Sequence, residues 1–193
     1  MMKLAHRNLL NFLAFQLAWF ACVLGGASDR VLAGTLVVAA AIGLHLGLSI
    51  RPWREAVLVV VASAIGLFWD SLIVSLGLMS YPSGVVAAGL APTWIVAMWA
   101  LFATTLNSSL GWLRGRPLLA ALMGGVGGPL AYLAGHRLGG VEMAEPLLAL
   151  AAQGVGWAAL MPLLTMIGAR LNGFDAAVSP DVSTVRPQEV RHV

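Results

Sequence analysis

The chain has 193 residues, of which 60% are hydrophobic and only 10% charged, with a net charge of +3 and a mean hydropathy of +0.89. A soluble domain carries about 25% charged residues, so this chain cannot clothe a water-facing surface, and a soluble globular fold is excluded. The pI near 9.8 does not point to nucleic acid, because the basic residues are scattered through short connections rather than gathered in a patch.

The apolar runs are continuous and lack a period of two, which excludes a β-barrel. In lipid, helices are then the only way to satisfy every backbone N–H and C=O. About 20 apolar residues cross a bilayer core, and the sequence offers six such runs. The fold class expected is therefore all-α, a polytopic six-transmembrane-helix bundle over residues 1–168 followed by a disordered cytoplasmic tail, 169–193.

In chain order, the first span covers about 8–26 (NLLNFLAFQLAWFACVLGG). It follows a basic start, MMKLAHR, but is too long for a cleaved leader and is interrupted by Asn11 and Gln16. WFAC (19–22) is too bulky for a lipidation site, so Cys22 is expected to be a small buried hydrophobe. The second span, about 31–50, contains GLHLG, where Gly43 and Gly47 flank the region of His45 and form a pair suited to close helix approach. The third, about 55–79, carries Asp70. The fourth, about 92–113, places Thr104, Asn107, Ser108 and Gly111 on one face. The fifth, about 117–136, has GGVGGP (124–129) near its middle, which reads either as a broken helix lining a site or as tight packing through Gly124 and Gly128. The sixth covers about 146–168. Pro117 and Pro146 mark helix starts, as does Pro92 one span earlier.

Lys and Arg set the orientation. With the N terminus in the cytoplasm, Lys3, Arg7, Arg51, Arg54, Arg114, Arg116, Arg170, Arg186 and Arg191 lie inside, and only Arg30 and Arg137 outside. Six spans then place both termini in the cytoplasm. Two groups of three spans admit an inverted repeat, although the halves show little residue-level similarity.

The polar residues inside the spans fall into two layers. Toward the outer side, Asp70 lies about 13 Å deep and Gln153 about 10 Å deep, with His136 and Arg137 at the end of span five. Toward the inner side lie Asn11, Gln16, His45, Thr104, Asn107 and Ser108. A charged group at mid-membrane costs roughly 2.5–3.5 kcal/mol, so Asp70 is expected to face the bundle. There it serves either as a binding or proton-carrying carboxylate, or as a strut tied to Arg137, His136 or Arg30, or as a protonated hydrogen-bond donor between helices. The amides either line a cavity or bind helices together. Trp53, Trp94 and Trp112 suit an interfacial belt. Trp19, Trp69, Trp99 and Trp157 lie deeper and either shape a cavity for a lipid chain or pack the core. No metal-binding spacing of histidines occurs, one cysteine permits no internal disulfide, and GGVGGP lacks the Lys-Ser/Thr of a phosphate loop. No cofactor or metal is expected.

NLLNFLAFQLAWFACVLGGA (8–27), FWDSLIVSLGLM (68–79), PTWIVAMWALFATTLNSSLGWL (92–113) and GGPLAYLAG (127–135) resemble a bacterial family of small multi-pass inner-membrane proteins, domain-of-unknown-function family 2878. The resemblance implies a topology and a bacterial inner-membrane location. It also implies a lipid connection, since members tend to be encoded near fatty-acid-modifying enzymes, and it transfers no catalytic residues. The first functional expectation is handling of a lipid or small solute in an intramembrane cavity around Asp70. The second is an accessory subunit for a lipid-modifying enzyme. The third is a membrane-embedded enzyme, for which Asp70 with His136 is the acid/base pair available and Ser71 points about 100° away. The partners expected are membrane lipids and either another membrane protein or a second copy of the chain.

Overall fold

The computed structural model describes residues 4–174. Six α-helices are present: α1 (Leu4–Ala27), α2 (Val31–Leu48), α3 (Pro52–Ser75), α4 (Thr93–Leu106), α5 (Pro117–Arg137) and α6 (Pro146–Arg170). Five of them are long and apolar enough to cross a membrane, and α4 is the shorter sixth. The expected boundaries lie within a few residues of these, with two differences that have physical causes.

The first difference is α4, which stops at Leu106 and not near residue 113. Asn107, Ser108 and Ser109 follow, side chains that compete with the helical backbone for hydrogen bonds. The chain turns there and adds a 3₁₀ turn, Gly111–Leu113. At about 1.5 Å per residue, α4 alone is about 21 Å long. It lies in the middle of the bundle, packed on α1, α2, α3 and α6, which is why it is apolar on nearly every side.

The second difference is at the far end of α3, which stops at Ser75. Residues 76–92 cap the bundle instead of extending the span. Two short strands, β1 (Met79–Ser80) and β2 (Glu142–Met143), pair antiparallel and join this cap to the α5–α6 connection. Only residues up to Phe174 of the expected tail are described; α6 itself runs to Arg170, and 175–193 lie outside the described residues.

Apart from α4, the helices pack as two hairpins, α1 with α2 and α5 with α6, and α3 lies against α4. α1 and α4 occupy unlike positions, one at the periphery and one at the centre, so these two do not correspond as an inverted repeat would require.

Tryptophans seated on glycines set the helix spacing. A Cβ built on Gly66 of α3 would lie 2.0 Å from the Trp99 ring of α4, and one on Gly156 of α6 would lie 2.0 Å from the Trp69 ring of α3. Gly26 receives Trp94 and Gly128 receives Trp157 in the same way. α5 is continuous through GGVGGP. Gly124 lies against the Trp157 backbone and Met161 of α6, so the packing alternative describes this helix. Gly43 and Gly47 do the opposite of what their spacing suggests: nothing lies within 4 Å of a Cβ at either. The close α1–α2 approach is made by Gly34, whose Cβ would meet the Ala21 carbonyl at 2.7 Å.

This pattern orders the glycines by cost. Gly66→Ala and Gly156→Ala are expected to destabilise the bundle by about 1–3 kcal/mol through overpacking, whereas Gly43→Ala is expected to stabilise α2 by up to about 1 kcal/mol through helix propensity. Melting temperatures of the three variants in one detergent check the order.

Candidate functional site

Asp70 is fully buried, and its partners are aromatic, not basic. Trp99 Nε1 donates to Asp70 Oδ2 at 2.6 Å, and the Tyr132 hydroxyl donates to Oδ1 at 2.6 Å. Local sequence explains the first bond. Gly66 lies one turn before Asp70 on α3, and its missing side chain lets the Trp99 ring lie flush against the helix with its N–H at the carboxyl. The same device recurs on α6, where Gly156 admits the Trp69 ring and Trp69 Nε1 donates to Gln153 Oε1 at 2.9 Å, three residues earlier. Gln153 is fully buried and reaches the Met79 sulfur at 3.7 Å. Tyr81, from the cap, is buried close to Asp70 as well.

The other residues expected near Asp70 are placed elsewhere. His136 Nδ1 pairs with the Val141 carbonyl at 2.8 Å, Arg137 is exposed at the end of α5, and the Ser71 hydroxyl accepts from the Ala91 N–H at 3.0 Å. The acid/base pair of Asp70 with His136 is therefore not formed, and neither is a basic clamp from Arg30 or Arg137.

Tyr132 and Trp99 have a second role. Both line a cavity of about 460 Å³ enclosed by α1, α4, α5 and α6. This falls within the roughly 300–1,000 Å³ usual for small-molecule sites. Phe15, Gln16, Trp19 and Val23 form its α1 side, and Met123, Gly127, Leu130 and Ala134 its α5 edge. Trp94, Met98, Trp99, Phe102 and Trp157 form the back. Trp99 stacks on Trp157 with ring centroids 4.6 Å apart, and Phe102 meets Trp157 edge-on at 5.2 Å. Gln16 supplies a polar side chain to this otherwise apolar lining, whereas the Tyr132 hydroxyl is turned to Asp70. Asp70 itself does not line the cavity; it lies behind the wall and holds two wall residues in place.

Of the four deep tryptophans, Trp19, Trp99 and Trp157 face this space, whereas Trp69 packs between α3 and α6. Trp94, expected at the interface, is 1% exposed and also faces it. Trp53 and Trp112 are exposed.

Two of the inner polar residues, His45 and Asn107, meet on a residue not singled out from the sequence, Glu55, in the first turn of α3; Gln16 lines the cavity instead. Glu55 is fully buried. Its Oε2 pairs with His45 Nε2 at 3.0 Å, and its Oε1 accepts from Asn107 Nδ2 at 3.0 Å and from the Gly173 N–H at 2.6 Å. The Gly173 carbonyl accepts from the Arg51 N–H at 2.8 Å. Phe174 packs edge-on against His45 and lies under the Arg7 guanidinium. Arg114 donates to Asn107 Oδ1 at 3.3 Å. Asn11 ties α1 to the end of α4 through Thr104 and Ser109, and Ser108 is buried beside them. A first-turn glutamate after Arg-Pro-Trp-Arg reads as a dipole partner. The available signal was its position: Glu55, Leu58, Ala62, Gly66 and Asp70 recur along one face of α3, and all are buried.

Six apolar helices, with Asp70, Gln153 and Glu55 paired inside the bundle, define a multi-pass membrane protein. Residues 8–163 match the family described as a protein of unknown function, DUF2878, and the chain belongs to it. No curated protein and no solved structure matches the chain.

If Asp70 positions the cavity wall, Asp70→Asn replaces one acceptor oxygen with a donor that faces Trp99 or Tyr132. A loss of about 1–3 kcal/mol is expected, with a changed Trp99 near-ultraviolet signal and retained helicity. Glu55→Gln is expected to cost a similar amount without altering that signal, because its cluster lies about 22 Å away along α3. Circular dichroism of both variants in detergent checks this.

Proposed function

We propose that this protein handles membrane lipid, transporter-like, by binding a hydrocarbon chain in the cavity between α1 and α5. The observation that carries this reading is where the cavity opens. α1 packs on α2 and α4, and α5 chiefly on α6, which leaves the α1 and α5 edges facing each other across the mouth. The mouth residues, Gln16 and Trp19 on one side and Met123, Leu130 and Ala134 on the other, lie along the membrane-crossing stretch of their helices. In a spanning bundle that height is occupied by acyl tails, not by water. An apolar, aromatic-walled space reached from hydrocarbon suits an acyl chain.

A proton route through Asp70 is the weaker reading. Between Glu55 and Asp70 the buried face of α3 offers Leu58, Ala62 and Gly66, none of which carries a proton.

The basic residues support an orientation. Arg7, Arg51, Arg54, Arg114, Arg116 and Arg170 cluster at the end holding Glu55, and Arg30 and Arg137 lie at the other. By the positive-inside rule the Glu55 end is cytoplasmic; the inner-membrane location is proposed from the family resemblance.

Gly127 provides the test. It lines the cavity, and nothing lies within 4 Å of a Cβ placed on it, so Gly127→Phe fills the space without striking the backbone. A photoactivatable fatty-acyl probe in membranes is expected to label α1 and α5 of the wild type at the mouth, and this labelling should be lost in Gly127→Phe. Unchanged labelling, or labelling spread evenly over lipid-facing residues such as Leu118 and Leu147, would defeat the proposal. For orientation, Arg30→Cys is expected to react with an impermeant thiol reagent in intact cells, and Arg116→Cys only after the membrane is opened.

A further inference from the structure

The cavity reaches close to one end of α5, and one charge, Arg137, stands just beyond it. Along α5 it extends from Met123 to Gly135, about 18 Å at helical rise. It ends two residues before Arg137, the last residue of the helix, and begins six after Pro117, the first. On α4 it begins at Trp94, the second residue of that helix at the same end, and it continues to Leu110, past the helix's other end. The cavity therefore runs the length of α4 and comes within one helical turn of Arg137 on α5. A loop closes its top, since Gly140 lies against the Val23 carbonyl and Trp94, so an occupant leaves sideways over the α5 edge.

That edge is a stripe with helical spacing: Met123, Gly127, Leu130 and Ala134 line the mouth, and Arg137 is its next member. Arg137 is exposed and forms no hydrogen bond or ion pair among the described residues.

Building on the chain-binding reading above, we infer that the occupant is a long-chain fatty acid, with its chain in the cavity and its carboxylate on Arg137. Three observations support this. The volume, about 460 Å³, sits in the lower part of the small-molecule range and suits one chain better than the two of a phospholipid. The α5 side of the mouth is apolar up to its last turn and then presents a cation, which matches an amphiphile with its charge at one end. A single guanidinium forms a complete bidentate pair with one carboxylate. Arg137 is thus a binding residue that selects the headgroup, and the aromatic wall accepts the chain.

The test uses the full chain in lipid nanodiscs supplied with palmitate, hexadecanol or a single-chain lysophosphatidate, with retained ligand measured by native mass spectrometry. Wild-type protein is expected to retain palmitate about tenfold or more over hexadecanol, in keeping with a charge-assisted bond. Arg137→Ala is expected to bring palmitate down to the hexadecanol level, and Arg116→Ala, at the opposite end of α5, to change nothing. Gly127→Phe is expected to lose both ligands. Equal retention of palmitate and hexadecanol by the wild type would overturn the headgroup assignment while leaving chain binding intact. The assignment is also overturned by sensitivity to Arg116 in place of Arg137, or by preference for the lysophosphatidate. Retention of none of the three would overturn the chain-binding reading itself.

Discussion

A carboxyl group cannot remain in an apolar bundle without partners, and the way Asp70 is satisfied shapes everything around it. Unpaired, it would cost several kcal/mol. It is met by two neutral donors, an indole N–H from α4 and a phenol from α5. Each donor comes from a large ring, and each ring forms part of the same cavity wall. The polar bond and the apolar surface are thus two sides of the same side chains. Gly66 makes this arrangement possible by letting Trp99 lie against α3 one turn from its acceptor.

The opposite end of α3 is tied down differently. Glu55 binds α2 through His45, the end of α4 through Asn107, and the chain after α6 through Gly173. Between the two anchors the helix face is small and apolar, and α4 packs against it. α3 is therefore fixed at both ends and α4 is held along its length, whereas α5 leans mainly on α6. The gap between α5 and α1 is the consequence of that uneven bracing, and it is the space read here as the lipid site.

Much of the architecture was legible in the sequence because length and continuity of apolar runs, with proline at helix starts, report spans directly. The end of α4 was not, since Leu110, Trp112 and Leu113 extend the apparent span beyond it, while the side chains of Asn107, Ser108 and Ser109 turn the backbone. Asp70 was found, but its partners were sought among Arg137, His136 and Arg30. A hydropathy scale treats tryptophan and tyrosine as grease, although each carries one donor. Glu55 was missed because a glutamate in a first helical turn has an ordinary explanation. The spacing of Gly43 and Gly47 misled for a simpler reason: small residues permit close approach but do not supply a neighbour. The cavity itself depends on which helices fail to touch, and no single segment encodes that.

The claim on which the account rests is that the Asp70 carboxyl is sealed behind Trp99 and Tyr132 and meets neither water nor substrate. Treating the membrane-embedded protein with a hydrophobic carbodiimide, followed by peptide mapping, measures this directly. The exposed Glu142 and Glu145 should be modified, and Asp70 should stay unmodified until the protein is unfolded. An adduct on Asp70 in the folded protein would place a reactive carboxyl inside the cavity and contradict the account.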